Sequence, residues 1–143
     1  MSRIRPIRVF LVDDQTLVRQ GIRSLLSLAE GVEVVAEAVD GRQAVEQIPQ
    51  VAPDVVLMDM RMPAMSGLEA LQALGKAGTL PPTIILTTFD DDQLVLAGIK
   101  AGAKGYLLKD VSLEQLVGAI QTVADGGSLV QPAVTQRLLS GLE

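Results

Sequence analysis

Any chemistry in this chain must come from carboxylates, hydroxyls and lysines, because its 143 residues include no cysteine and no histidine. That composition removes disulfides, thiolate catalysis, cysteine-ligated zinc, the usual histidine metal sites and Ser-His-Asp hydrolysis. The residues left to do chemistry stand at the ends of short apolar runs. Asp13 and Asp14 follow IRVFLV, Asp59 follows DVVLM, Thr87 follows TIIL and Lys109 follows GYLL. Three carboxylates brought within about 4 Å would repel by several kcal/mol per pair at an effective dielectric of about 20, so such a cluster needs a cation. Oxygen ligands without histidine or cysteine favour a hard ion, and Mg²⁺ suits a few carboxylates supplemented by waters and a phosphate oxygen. Each residue taken singly also fits a structural role: Asp13 and Asp14 as helix caps, Asp59 as a turn residue ahead of Pro63 and Gly67, Thr87 as a strand-end hydroxyl, Lys109 as a solvated charge. Their joint placement carries the chemical reading.

The elements that must position these residues alternate regularly. Ile7 to Val12, Val32 to Ala38, Asp54 to Met58, Thr83 to Leu86 and Gly105 to Leu108 have strand length and strand composition. Between them the apolar residues follow helix period, most clearly at Leu113, Leu116, Val117, Ile120 and Ala124. Ser112 with Gln115, Ser66 with Glu69 and Asp40 with Gln43 have the three-residue spacing of a capping box, and Gly126 closes the last helix. Short βα alternation predicts a parallel sheet covered by helices on both faces, since right-handed crossovers put them there. Ligands of such sheets sit beyond the carboxyl ends of the strands, where these side chains lie.

The length suits one domain, and no apolar run reaches the ~18 residues of a membrane span. The N-terminus, with Arg3, Arg5 and Arg8, lacks the apolar stretch and cleavage site of a secretory signal, so the chain is expected to be cytoplasmic and to have no membrane partner. A net charge of −5 argues against nucleic-acid binding by this chain alone. Residues 1–126 are expected to form the domain. Residues 127–143, in which Pro132 could open a short helix carrying Val134 and Leu138, are expected to be a C-terminal tail or the start of a linker to an output domain outside this sequence.

FLVDD, VVLMDMRMPAMSG, IILTT and GYLLKD occur in the order and at the separations that resemble the receiver domains of two-component response regulators, over about Ile7 to Asp125. FLVDDQTLVRQGI, LTTFDDD and AGAKGYLLKD are similar to the LuxR/NarL-type members. The resemblance implies a flavodoxin-like, doubly wound, five-stranded parallel sheet. It implies a phosphoacceptor regulatory domain, with Asp59 as the nucleophile that takes a phosphoryl group from a sensor histidine kinase, rather than an enzyme in the ordinary sense. By the same resemblance Asp14, Asp59 and the Arg61 backbone carbonyl would ligate Mg²⁺, Asp13 would help through water, and Lys109 would offset phosphoryl charge. Thr87 and Tyr106 would form the switch, with an exposed Tyr106 hydroxyl as the plainer alternative. Homodimerisation on phosphorylation and DNA contact through a separate helix-turn-helix domain are further implications. Arg61 and Phe89, two residues after Asp59 and Thr87, would flank the path of an attacking water and slow self-dephosphorylation. Many receivers have proline after the lysine, whereas Asp110 stands here, so no prolyl cis bond can set that turn.

A haloacid dehalogenase-type phosphatase also forms an aspartyl phosphate, but it needs a second aspartate where Arg61 stands. A cofactor-binding flavodoxin-like module is disfavoured by the lack of tryptophan and histidine and the single tyrosine. A receiver retained only as an interaction surface is disfavoured because every site residue is present.

Overall fold

The computed structural model describes residues 5–87 and 92–130. Strands β1 (Ile7–Val12), β2 (Val32–Ala38), β3 (Val55–Asp59), β4 (Thr83–Thr87) and β5 (Gly105–Leu108) alternate with helices α1 (Thr16–Ser27), α2 (Gly41–Val51), α3 (Gly67–Ala77), α4 (Asp92–Lys100) and α5 (Leu113–Ala124). The strands form one sheet in the order β2-β1-β3-β4-β5, paired in parallel throughout. A sixth strand, β6 (Leu129–Val130), pairs in parallel with β5 and carries the sheet past residue 126. The region from 127 was expected to be tail or linker; the two-residue strand is too short to show a period in sequence. Pro132, Val134 and Leu138 lie outside the described residues.

Strand alternation sorts the core into two layers. Phe10, Val12, Val56, Met58, Ile85 and Tyr106 face α2, α3 and α4, where Ile48, Leu71, Leu74 and Val95 close over them. Val9, Leu11, Val55, Leu57, Ile84 and Leu107 point the other way, onto Leu26 of α1 and Leu116, Ile120 and Val123 of α5. Each fully buried aliphatic side chain contributes roughly 1.5–3 kcal/mol, enough to hold strand register against slippage. The chain reverses direction across the sheet at β1 and β3, so their carboxyl ends border the crevice where such folds bind ligands.

Helix starts follow the local chemistry. Ser66 and Ser112 form complete capping boxes with Glu69 and Gln115. At α2 the box is divided: Asp40 Oδ1 accepts from the Gln43 N–H at 2.9 Å, while Gln43 Oε1 accepts from the N–H of Val39 rather than of Asp40. The last helix ends as expected, with Gly126 at φ +93° and its N–H bonded to the Val123 carbonyl. Asp54, expected to open β3, precedes it. Its carboxylate accepts from the Arg8 N–H at 2.9 Å and from the Arg5 guanidinium at 2.9 and 3.1 Å, tying the amino-terminal ends of β1 and β3 together. No helix among the described residues is long and apolar enough to cross a membrane.

Candidate functional site

The register that pairs Val12 with Met58 sets Asp13 beside Asp59 at the top of adjacent strands. Carboxylate oxygens of Asp13, Asp14 and Asp59 lie within 4.8 Å of one another. Asp13 and Asp59 are buried, at 0% and 5% exposure, and Asp14 is exposed to solvent. Gln15, the N-cap residue of α1, makes no side-chain cap bond, and neither aspartate is the N-cap, although Asp13 Oδ1 accepts from the Gln15 N–H at 2.8 Å. The Lys109 N–H donates to the Thr87 carbonyl at 2.9 Å, which fixes the end of β5 against β4. From there the lysine side chain reaches across β4, placing Nζ 3.3 Å from Asp59 Oδ1 and 3.4 Å from Asp13 Oδ2.

Burial, followed by the negative charge of Asp13, pushes the Asp59 carboxyl up to about 6, against the opposing pull of Lys109 and of the Arg61 N–H. Burial lowers the Lys109 ammonium, but Asp59 and Asp13 together outweigh it and hold the group above its ordinary value. At neutral pH the cluster therefore gathers more negative than positive charge. Asp13 Oδ2 is fully buried and lacks a hydrogen bond, with Lys109 its only ion-pair partner among the described residues. Oxygen donors, surplus negative charge and a buried lone pair without a donor together fit a hard cation.

The remaining expected residues are placed as follows. Arg61 is exposed, and its N–H lies 3.4 Å from Asp59 Oδ1. Thr87 is buried at the end of β4. Tyr106 pairs in register with Ile85, two residues before Thr87, so strand alternation puts the ring and Thr87 on one face of the sheet. Tyr106 is wholly enclosed, which overturns the alternative of an exposed hydroxyl. Phe89 lies outside the described residues. The Lys109–Asp110 peptide is trans, and the Val111 N–H closes the turn onto the Leu108 carbonyl at 3.2 Å.

Two residues near the site were not singled out for it in the sequence. Gly67, noted there only as a turn residue, opens α3 against the chain leaving β3; a Cβ at this position would overlap the Asp59 carbonyl and approach Met60 Cα at 2.9 Å. A glycine directly after a capping serine was the available signal. Arg19 donates to the Asp13 carbonyl at 2.7 Å and pairs with Glu37 of β2 at 3.3 Å. Nothing in its spacing distinguishes it from a solvated helix arginine.

Residues 9–121 match the family described as the response regulator receiver domain. The chain is 40% identical over 134 residues to the transcriptional regulatory protein LnrK of Bacillus subtilis, covering 94% of this chain and 61% of that protein. It is 45% identical over 138 residues to the nitrate/nitrite response regulator protein NarP of Escherichia coli, covering 96% of this chain and 64% of that protein. It thus spans less than two thirds of these relatives' lengths. A crystal structure of a LuxR-family two-component response regulator from Aurantimonas superposes with a TM-score of 0.86 at 31% identity, over 96% of this chain and 98% of that one. With the family match spanning most of the sheet and its relatives regulators of one kind, the chain belongs to the response regulator receiver domains, in their NarL/LuxR-type branch.

Proposed function

We propose that Asp59 accepts a phosphoryl group from a sensor histidine kinase and that the resulting charge switches the domain. The observation that carries this reading is the convergence of three carboxylates within 4.8 Å, with Lys109 Nζ 3.3 Å from Asp59. Asp13, Asp14, Asp59 and the Arg61 carbonyl would hold Mg²⁺, which when bound offsets charge on phosphoryl oxygens. An ionised Asp59 oxygen attacks phosphorus as the phosphorus–nitrogen bond of the donor breaks, giving an aspartyl phosphate. No general base is required, since a carboxyl near 6 is mostly ionised at neutral pH. Lys109, with Nζ 3.3 Å from Asp59 Oδ1, would neutralise a phosphoryl oxygen there, and such positioned charge does most of the work in phosphoryl transfer.

Thr87 then bonds a phosphoryl oxygen and moves toward the pocket, with Tyr106 on the same sheet face packing behind it. The output is transcriptional control through a DNA-binding domain outside this sequence, by analogy with the regulators it resembles. Incubation with a small phosphodonor and Mg²⁺, followed by intact mass, tests the chemistry. Stable gain of one phosphoryl group is expected; continuous turnover without labelling indicates a phosphatase, and no reaction indicates a binding module. Phosphorylation is further proposed to promote a two-fold homodimer, through α5 and the neighbouring β5 region. Sedimentation over a concentration series should show stronger association of the phosphorylated protein, and identical behaviour removes this element of the reading.

A further inference from the structure

Asp13 is restrained at its N–H, its side chain and the carbonyl it contributes to the peptide with Asp14. The Asp13 N–H donates to the Ala38 carbonyl of β2 at 3.1 Å, and Asp13 Oδ1 accepts from the Gln15 N–H at 2.8 Å. The Asp13 carbonyl receives its bond from a side chain on the following helix, Arg19 Nη1, at 2.7 Å. That guanidinium is itself held: Nε lies 3.3 Å from Glu37 Oε1, and Glu37 also pairs with Arg23. The Arg19 side chain is only 13% exposed, so its fork is enclosed rather than waving in solvent.

We propose that Arg19 is a positioning residue for the cation site, acting through the Asp13 carbonyl with Glu37 of β2 as its anchor. The inference rests on the metal-assisted reading above. Asp14 is the exposed member of the acidic cluster and shares a planar peptide with the Asp13 carbonyl, so fixing that oxygen fixes the plane from which the Asp14 side chain departs. Two donors in a rigid fork can span a carbonyl and a carboxylate at once, which a single ammonium cannot do with the same geometry.

Charge and positioning predict opposite signs here. If Arg19 acted only as a nearby positive charge, Arg19→Met would tighten binding of a dication. If it positions the peptide, the same variant weakens binding, by roughly tenfold on the usual effect of losing an outer contact of a metal site. Calorimetric titration with Mg²⁺ is the direct readout and is independent of phosphoryl transfer. Arg19→Met is expected to bind Mg²⁺ about tenfold more weakly. Arg19→Lys, which keeps the charge but loses the fork, should recover only part of that loss. In phosphodonor assays both variants should approach the wild-type maximal rate at saturating Mg²⁺, because the defect lies in Mg²⁺ binding. Unchanged or tighter binding by Arg19→Met, or full recovery by Arg19→Lys, overturns the proposal. A wild-type protein that binds no Mg²⁺ removes the cation site itself and this role with it. Should Arg19→Met not fold by circular dichroism, Arg19→Lys decides alone: wild-type affinity overturns the role and reduced affinity supports it.

Discussion

Asp59→Asn is expected to take up no phosphoryl group and, near pH 8 without Mg²⁺, to melt roughly 3–10 °C above the wild type. The first effect follows from the proposed phosphoacceptor role, because an asparagine amide has no anionic oxygen to attack phosphorus beside Lys109. The second follows from the strain of an ionised carboxylate that is buried and faces Asp13. A folded-state value of about 6 against an ordinary 3.8 means that the native protein binds the Asp59 proton more tightly than the unfolded chain does. Stability therefore falls as pH rises from about 3.8 through about 6, and above that window the ionised group costs up to about 3 kcal/mol. Asparagine cannot ionise and removes that slope. The advantage of the variant should accordingly be present at pH 8, shrink through the window and vanish near pH 4. Mg²⁺ should narrow it at pH 8 by stabilising the wild type through binding. Thermal melts of both proteins across pH check the sign, and a variant no more stable than wild type at pH 8 would show that the site stores no such strain.

Much of this site is legible in sequence, and the remainder is tertiary by nature. The boundaries of β1, β2 and β5 follow directly from short apolar runs of strand composition with flanking turn signals. β3 and β4 each extend one residue further than their apolar runs, through Asp59 and Thr87, because a parallel neighbour continues the ladder where hydropathy has stopped. The order of acidic and basic strand ends pointed to Asp13, Asp14, Asp59 and Lys109, whose side chains the sheet brings together. Burial was not legible: Asp13 and Tyr106 are enclosed by tertiary packing, and no local period encodes that. Arg19 was invisible for a related reason. Its partners are a carbonyl six residues earlier and a carboxylate on the next strand, and an amphipathic helix carries arginines at such positions with or without a partner.

Lys109→Met is expected to move cation affinity and phosphoryl uptake in opposite directions. Without its ammonium, the buried pair Asp13 and Asp59 loses the positive charge now 3.4 and 3.3 Å away, while the methionine keeps much of the side-chain volume. The metal-free protein should lose about 2 kcal/mol of stability at neutral pH, a figure reduced from the full Coulomb value because the lysine is partly exposed. The Asp59 carboxyl should rise further above its ordinary range, since the lysine is a lowering influence there. At a pH high enough to keep the carboxylates ionised, Mg²⁺ should bind more tightly, as the site holds one fewer competing positive charge and the same oxygen donors. Phosphoryl transfer should nevertheless be slowed by roughly a hundredfold or more, because the positive charge proposed to stabilise the transferring group is then absent. Calorimetry and a labelling time course at saturating Mg²⁺ separate the two effects. Adding Asp59→Asn to Lys109→Met should return most of the lost stability, since only Asp13 is then left without a neutralising charge. Slow labelling that more Mg²⁺ fully restores would instead mean that Lys109 serves the cation site and does not act on the phosphoryl group.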